Sequence, residues 1–130
     1  MPVMNIDEIL LLPSVDSEGF YDNELDSVKD VIDKKYVNTP EYRELSRAMA
    51  KDGQTFPIHI ADGETIWHTY TKDTYNPGAE RPCPQEYRGV LVMGNGHHRV
   101  KLAIELGWTE MQYREDARYT GDDGNTWTED

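Results

Sequence analysis

Residues 90–106 read VLVMGNGHHRVKLAIEL, and this stretch decides the predicted fold of the chain. The continuous apolar run at 90–93 predicts a strand that is covered on both faces of a sheet. Residues 97–106 repeat apolar side chains at helical spacing and predict a helix. The glycines of the sequence Gly94-Asn95-Gly96 predict a tight turn between the two elements. The stretch therefore predicts a strand, a turn and a helix in direct succession.

The first turn of this predicted helix carries side chains that can bear positive charge, namely His97, His98, Arg99 and Lys101. A helix N-terminus is electropositive and presents N–H groups, and glycines let a ligand approach the backbone closely. An arginine can bind phosphate oxygens through two parallel hydrogen bonds. These features predict a phosphate site. The alternative is a plain strand–turn–helix corner with exposed polar side chains, because two glycines are a weak pattern.

The chain has 130 residues, enough for one domain, and its 25 acidic and 13 basic residues give a net charge of −12. Nucleic-acid phosphates and anionic lipids repel such a protein, so tight DNA binding and membrane binding are disfavoured. DNA binding would need a local basic patch, and the one dense patch, at residues 97–101, is short. The acidity favours solubility, with mimicry of a nucleic acid as the alternative.

Cys83 is the single cysteine, which excludes an internal disulfide and fits a reducing compartment. Residues 1–8 lack the basic segment that begins a signal peptide, and the apolar run at 9–12 is too short to span a membrane. We therefore expect a soluble, cytoplasmic protein. Nucleophilic catalysis has little support, because the chain has no Gly-x-Ser-x-Gly sequence and Cys83 has no matched partner.

The first part of the chain predicts one short element and two helices. Residues 3–12 predict either an opening strand or a short helical turn followed by a strand. Residues 22–36 place apolar side chains on a narrow helical face and predict a helix capped by Asp22. A stronger helix is predicted to follow Thr39, which can cap it, and to end at Gly53.

A hairpin is predicted in the middle of the chain. Residues 56–60 predict a strand, and residues 65–70 alternate and are rich in β-forming residues. The turn sequence at 61–63 joins the two segments, so residues 58–60 and 65–70 are expected to pair. Residues 71–86 are rich in proline and predict a loop.

The last part of the chain predicts the end of the helix, a short closing strand and a polar tail. The predicted buried face of the helix consists of Val100, Ala103 and Ile104. Gly107 is expected to end this helix, and residues 110–114 predict the strand. Residues 126–130 are expected to be frayed unless Trp127 docks on the domain.

The sequence Gly96-His97-His98-Arg99, between an apolar strand and a helix ending in Leu106-Gly107, resembles the G-x-H-R element of the ParB/sulfiredoxin superfamily. Residues 44–54, followed by Pro57 and Ile58, are similar to the family's block of a helix and the sequence Gly-x-x-x-Pro-Ile. Residues 6–13 occupy the place of the family's first strand. The resemblance covers residues 3–13, 40–60 and 89–114.

The resemblance implies an α+β domain over residues 1–114, with a small mixed sheet, flanking helices and a nucleotide pocket. A β-hairpin and loop at residues 61–88 would be an insertion, and residues 115–130 an acidic tail. Carried over by position, His98 and Arg99 contact phosphate, Gly96 allows close approach, and Gln54 and Pro57 line the pocket. The residues expected to bind the ligand or its phosphate are Gly94, Asn95, Gly96, His97, His98, Arg99, Lys101 and Gln54.

The chain departs from the family in ways that narrow its function. His97 stands where sulfiredoxins have their catalytic cysteine, which argues against sulfinate reduction. Ala48 stands where the family often has a serine or threonine, which removes one phosphate contact. A short acidic stretch follows Arg114, so we do not expect a complete partition protein with its DNA-binding and dimerisation domains. Stand-alone domains of this type are frequent in bacteriophages, so the resemblance implies a phage or bacterial source, with the host cytoplasm as the location of a phage protein.

Three functions are open at this point. The first is binding of a nucleotide or another phosphate compound, with or without phosphoryl transfer or hydrolysis, for which His97 and Glu44 are the catalytic candidates. The second is a non-catalytic acidic phage protein that binds a host protein. The third is a ParB-like nuclease, against which the net charge of −12 argues. Whether the chain is an enzyme stays undecided by its sequence.

A metal site held by the protein is not predicted. His59 and His68 could face each other across the predicted hairpin, with His97 nearby, but the adjacent His97 and His98 point in different directions on a helix. A Mg²⁺ ion that arrives with a nucleotide is favoured instead. The candidate carboxylates for such an ion are Glu8, Glu41 and Glu44.

Overall fold

The structure is a computed structural model that describes residues 2–15, 26–35, 38–70 and 82–115 and the backbone of two strands at 118–120 and 126–128. The predicted cap Asp22 and most of the predicted loop at 71–86 lie outside the described residues.

Four strands form an open mixed sheet, and helices accompany it. The strands are β1 (Val3–Asn5), β2 (Ile58–Asp62), β3 (Leu91–Asn95) and β4 (Glu110–Arg114). Their order is β1-β4-β2-β3, with β4 antiparallel to β1 and parallel to β2, and with β2 antiparallel to β3. The predicted α+β class with a small mixed sheet is therefore confirmed.

Five α-helices lie in the described part of the chain. They are α1 (Ile6–Leu11), α2 (Val28–Asp33), α3 (Pro40–Asp52), α4 (Gly63–Tyr70) and α5 (His97–Glu105), and a 3₁₀ turn spans Gln85–Tyr87. Within the ranges that the structure describes, no helix has both the length and the apolar character needed to cross a membrane.

Of the two alternatives for residues 3–12, the opening strand is confirmed only at residues 3–5, and a helix follows at residues 6–11, where the resemblance implied a strand. Asn5 ends β1 and caps α1, because its side-chain oxygen accepts a hydrogen bond of 2.9 Å from the backbone N–H of Asp7. Ile6 and Ile9, one helical turn apart, are buried in the core. The segment after α1 then runs beside β3, where the N–H of Met93 donates to the carbonyl of Pro13 at 3.0 Å.

Helix α2 begins later than the sequence pattern indicates. Asp26 and Ser27 precede it in non-helical conformation, so the helix predicted over residues 22–36 is not continuous through residues 26 and 27. The Ser27 hydroxyl oxygen caps α2 by accepting a hydrogen bond of 3.2 Å from the N–H of Asp30. The narrow apolar face is present, with Val28 and Ile32 buried.

Helix α3 is confirmed at both ends. Pro40 is its first residue, and the N–H of Gly53 closes it by donating to the carbonyl of Met49 at 2.9 Å. Thr39 occupies the N-cap position as predicted, but its side chain makes no capping hydrogen bond. Its Oγ1 is buried and forms no hydrogen bond with any residue that the structure describes.

The hairpin predicted in the 61–88 insertion is wrong, because residues 65–70 belong to α4 and the antiparallel partner of β2 is β3. Asp62 starts the helix, since its side chain accepts a hydrogen bond of 3.1 Å from the N–H of Glu64. Ile66 and Trp67 are fully buried, and the ring centres of Trp67 and Tyr87 lie 5.7 Å apart. Burial against a segment distant in sequence therefore outweighs the local preference for a strand.

Two apolar clusters form the core of the described residues. The larger lies between the sheet and helices α1, α2, α3 and α5, and the smaller consists of Val15, Ala61, Ile66, Trp67, Cys83, Tyr87 and Val92. Val100 and Ala103 of α5 are buried as predicted, but Ile104 is 41% exposed and Leu102 takes the buried place.

The strand predicted at residues 110–114 is confirmed as β4, which lies between β1 and β2 in the sheet. β5 (Arg118–Thr120) and β6 (Thr126–Thr128) pair antiparallel in a separate two-stranded sheet, so the expected fraying is wrong for residues 126–128.

Candidate functional site

One end of the sheet collects most of the predicted site. β3 ends at Asn95 and β4 ends at Arg114, and both residues pair with His59 near the start of β2. Helix α5 begins two residues after Asn95, so its first turn emerges from this same end. The sheet pairing thus brings segments that are far apart in sequence next to the strand–helix junction.

Gly96 alone makes the turn between β3 and α5. Its φ of 111° and ψ of 13° lie in the left-handed region, and it occupies the N-cap position of α5. A β-carbon there would overlap Cγ2 of Ile58 and lie 2.8 Å from Cβ of Ile58. The close approach that requires a glycine is therefore made to the protein's own core.

Gly94 and Asn95 do not belong to the turn. Both are residues of β3, where Gly94 is buried and Asn95 is opposite His59. The predicted three-residue turn is therefore wrong, and Asn95 reaches the site only as the last residue of its strand.

The chemistry of the first turn of α5 favours an anion. The N-cap residue, Gly96, supplies no capping side chain, and the first turn contains no acidic residue. A helix N-terminus carries partial positive charge and presents N–H groups. His97, His98 and Arg99 add their side chains to this turn.

Arg99 is buried and is held by a neighbouring loop. Its side chain is 7% exposed, and Nη1 donates to the carbonyls of Phe56 at 3.4 Å and Pro57 at 3.3 Å. The guanidinium carbon also lies 5.8 Å from the centre of the Phe56 ring. Both carbonyls belong to the loop before β2, so these bonds orient the guanidinium relative to that loop.

The two histidines occupy different environments. His97 is buried at the start of α5, whereas His98 is half-buried. The His98 ring stacks on Tyr42, with ring centres 4.1 Å apart and planes inclined by 14°. This stack joins the first turns of α5 and α3, and Tyr42 was not among the predicted site residues.

The Lys101 side chain hydrogen-bonds to backbone groups at the end of α2. Its Nζ donates to the carbonyls of Ile32 at 2.9 Å and Lys35 at 2.7 Å. Ile32 lies in the last turn of α2, and its carbonyl also accepts from the N–H of Lys35 at 3.1 Å, so the ammonium group adds a charged donor at the C-terminal end of that helix. The structure therefore places Lys101 in the same helix as Arg99 but directs its charge to α2.

The Gln54 side chain also hydrogen-bonds to backbone groups of the protein. Its Nε2 donates to the carbonyls of Gln112 at 2.7 Å and Phe56 at 3.1 Å, and its Oε1 accepts from the N–H of Gln112 at 2.6 Å. Strand β2 begins with Ile58, which is opposite Tyr113 of β4. The side-chain amide of Gln54 therefore binds β4 at Gln112, next to the point where β2 begins to pair.

The remaining candidates do not come together. Glu44 is exposed on α3. His59 is buried in β2 and His68 is exposed on α4, so these two histidines do not face each other across a hairpin. Over the described ranges, no group of at least three His, Cys, Asp or Glu side chains could hold a metal ion.

Two buried polar residues beside the junction were not predicted as part of a phosphate site. His59 is 1% exposed and Arg114 is 9% exposed, and they are register partners in the neighbouring strands β2 and β4. With His97 and Arg99, they make this end of the sheet rich in buried basic side chains in an acidic chain. The sequence places Arg114 at the end of a predicted strand, but only the strand order reveals its neighbours.

Comparisons of the chain with protein-family models, with curated proteins and with solved structures found no match.

Proposed function

We propose that this chain binds a nucleotide or another phosphate-containing small molecule at the junction of β3, Gly96 and α5. The main support for the proposal is the start of α5: its N-cap is a glycine in the left-handed region, its first turn contains no acidic residue, and that turn carries the buried Arg99. Such a helix start is a recognised arrangement for anion binding. Buried arginine and histidine side chains nearby favour negative charge in the ligand.

Under this proposal the contacts are fewer than the sequence indicates. The backbone N–H groups of His97 and His98 would meet phosphate oxygens, with the His98 ring and the Arg99 guanidinium beside them. Lys101 and Gln54 are left out, because their donors bind backbone carbonyls of the fold. Gly94 and Asn95 would support the site from β3.

We also propose that the domain is related to the ParB/sulfiredoxin superfamily and acts in the cytoplasm of a bacterium or a phage-infected cell. The G-H-H-R sequence at a strand–helix junction supports this relationship. A Mg²⁺ ion would arrive with a nucleotide and be held mainly by its phosphate oxygens. His97 is buried and Glu44 is exposed on another helix, so we assign no catalytic base.

A matched pair of substitutions at His98 tests the proposal. His98→Glu places an acid in the first turn of α5, whereas His98→Gln removes the imidazole without adding charge. Both variants lose the stack on Tyr42, so their difference isolates the charge. An acid near a helix N-terminus is favourable for the helix, so His98→Glu should keep the stability of the free protein.

Binding of pyrophosphate, ATP and CTP would be measured by calorimetry and thermal shift, with and without Mg²⁺. We expect the wild type to bind at least one of these compounds and His98→Glu to bind it about tenfold or more weakly than His98→Gln. Equal binding by the two variants would place the ligand elsewhere. No binding of any phosphate compound by the wild type would overturn the proposal and favour the role of an acidic protein-binding protein.

A further inference from the structure

We infer that Gln54 is a positioning residue for Arg99: it holds the loop of Phe56 and Pro57 against β4, and that loop in turn orients the guanidinium in the site. This inference rests on the proposed phosphate site. It gives Gln54 a different role from a direct ligand contact.

The loop before β2 depends on Gln54 for its attachment to the sheet. Residues 53–57 belong to no helix or strand. The Gln54 amide makes a donating and an accepting hydrogen bond to the backbone of Gln112, at 2.7 and 2.6 Å. A paired contact of this kind fixes both the distance and the orientation of the loop relative to β4.

Gln54 and Arg99 both donate hydrogen bonds to the same carbonyl oxygen. The carbonyl oxygen of Phe56 accepts from Nε2 of Gln54 at 3.1 Å and from Nη1 of Arg99 at 3.4 Å. The same Nη1 also donates to the carbonyl of Pro57 at 3.3 Å. Gln54 therefore controls the position of the oxygen atoms on which Arg99 rests.

The hydrogen-bonding capacity of Gln54 argues for positioning and against ligand contact. A glutamine amide has two N–H donors, and here they bind the carbonyls of Phe56 and Gln112. A phosphate accepts hydrogen bonds, so it would have to break one of these to bind Gln54. An arginine has many rotamers, and its placement within a fraction of an ångström governs how well it meets a ligand.

The first test is a double-mutant cycle on pyrophosphate binding. Gln54→Leu removes the amide and keeps a side chain of similar size, and Arg99→Lys removes the guanidinium but keeps its charge. We expect Gln54→Leu to weaken pyrophosphate binding about tenfold in the wild-type background and to have little further effect in Arg99→Lys. Additive losses in the double variant would overturn the inference, because a general structural defect would weaken both backgrounds equally.

Two controls separate positioning from loss of stability. Gln85→Leu makes the same change at an exposed glutamine in the 3₁₀ turn. Tyr87→Phe removes a buried hydrogen bond, of 2.9 Å to the carbonyl of Ser14, in the other core cluster. Both should bind pyrophosphate as the wild type does. Weakening by Tyr87→Phe equal to that by Gln54→Leu would also overturn the inference.

The second test needs no ligand. The N–H signals of the Arg99 guanidinium, assigned by their loss in Arg99→Lys, can be followed by nitrogen-15 NMR in the free protein. We expect slow solvent exchange in the wild type and in Gln85→Leu, and exchange about tenfold or more faster in Gln54→Leu. Unchanged exchange in Gln54→Leu would overturn the inference even if pyrophosphate binds. If exchange accelerates but the wild type binds no phosphate, positioning stands and the proposed function fails.

Discussion

Gly96 packs against the side chain of Ile58 so closely that a β-carbon at residue 96 would overlap Cγ2 of Ile58. Ile58 is fully buried and is the first residue of β2, while Gly96 is the residue from which α5 starts. The contact fixes the start of α5 against the sheet. It also explains why this turn requires glycine for packing as well as for its positive φ.

Gly96→Ala is therefore expected to lower the free energy of unfolding by about 2–5 kcal/mol, combining backbone strain with overpacking. Gly107, just past the other end of α5, has a φ of 81° and nothing within 4 Å of an added β-carbon. Gly107→Ala should cost only about 1–2 kcal/mol. Urea denaturation of both variants checks this, and equal losses would show that the contact with Ile58 is unimportant.

Lys101→Met is expected to lower the free energy of unfolding by about 1–3 kcal/mol, because two carbonyls lose a charged donor. The bonds concerned join Lys101 to Ile32 and Lys35. Lys29→Met is the matched control, since Lys29 pairs with Asp33 on the exposed side of α2 and should contribute little. Chemical denaturation measures both variants. A loss confined to Lys29→Met would contradict the assignment.

Thr39→Val should leave stability unchanged or raise it by about 1 kcal/mol, because it removes a buried hydroxyl that caps nothing in the described structure. Ser27→Ala should lower stability by about 1 kcal/mol, because Ser27 does cap α2. The thermal unfolding midpoints of the two variants compare an N-cap residue that makes no capping hydrogen bond with one that makes it. A clear loss of stability in Thr39→Val would mean that its hydroxyl has a partner after all.

Cys83 should react slowly with iodoacetamide in the folded protein and rapidly after unfolding. It is 6% exposed, and burial raises the pKa of its thiol. Because the raised pKa belongs to the folded state, the associated stability is present below the ordinary thiol pKa and declines as the pH rises above it. Denaturation between about pH 7 and 10 should show a decline that is smaller in Cys83→Ala. Rapid labelling of the native protein at neutral pH would contradict the burial.

The elements predicted correctly are those whose signals are local in sequence. Helix α3 follows from Pro40 at its start and Gly53 at its end, and β3 follows from an unbroken apolar run. Helix α4 was not predicted, because its conformation depends on contacts with residues distant in sequence. Trp67 is buried beside Tyr87, and neither residue type alone indicates that contact.

In the candidate site too, features that are local in sequence could be predicted and contacts between distant residues could not. The order of residues from Gly96 to Arg99 predicts a charged helix start, and α5 begins there. The roles of Lys101 and Gln54 depend on which carbonyl oxygens lie nearby, which follows from tertiary packing. The residue types of Lys101 and Gln54 indicate side-chain hydrogen-bond donors, but the carbonyl oxygens that accept from them are determined by the tertiary fold.

The order of the strands has a consequence for how the chain folds during synthesis. β4 lies between β1 and β2 in the sheet, yet it is translated after both. Until residues 110–114 leave the ribosome, the nascent chain cannot join its first strand to the rest of the sheet. Such non-local pairing slows folding and leaves strand edges exposed in the growing polypeptide. Productive folding of this domain is therefore expected to be late and concerted.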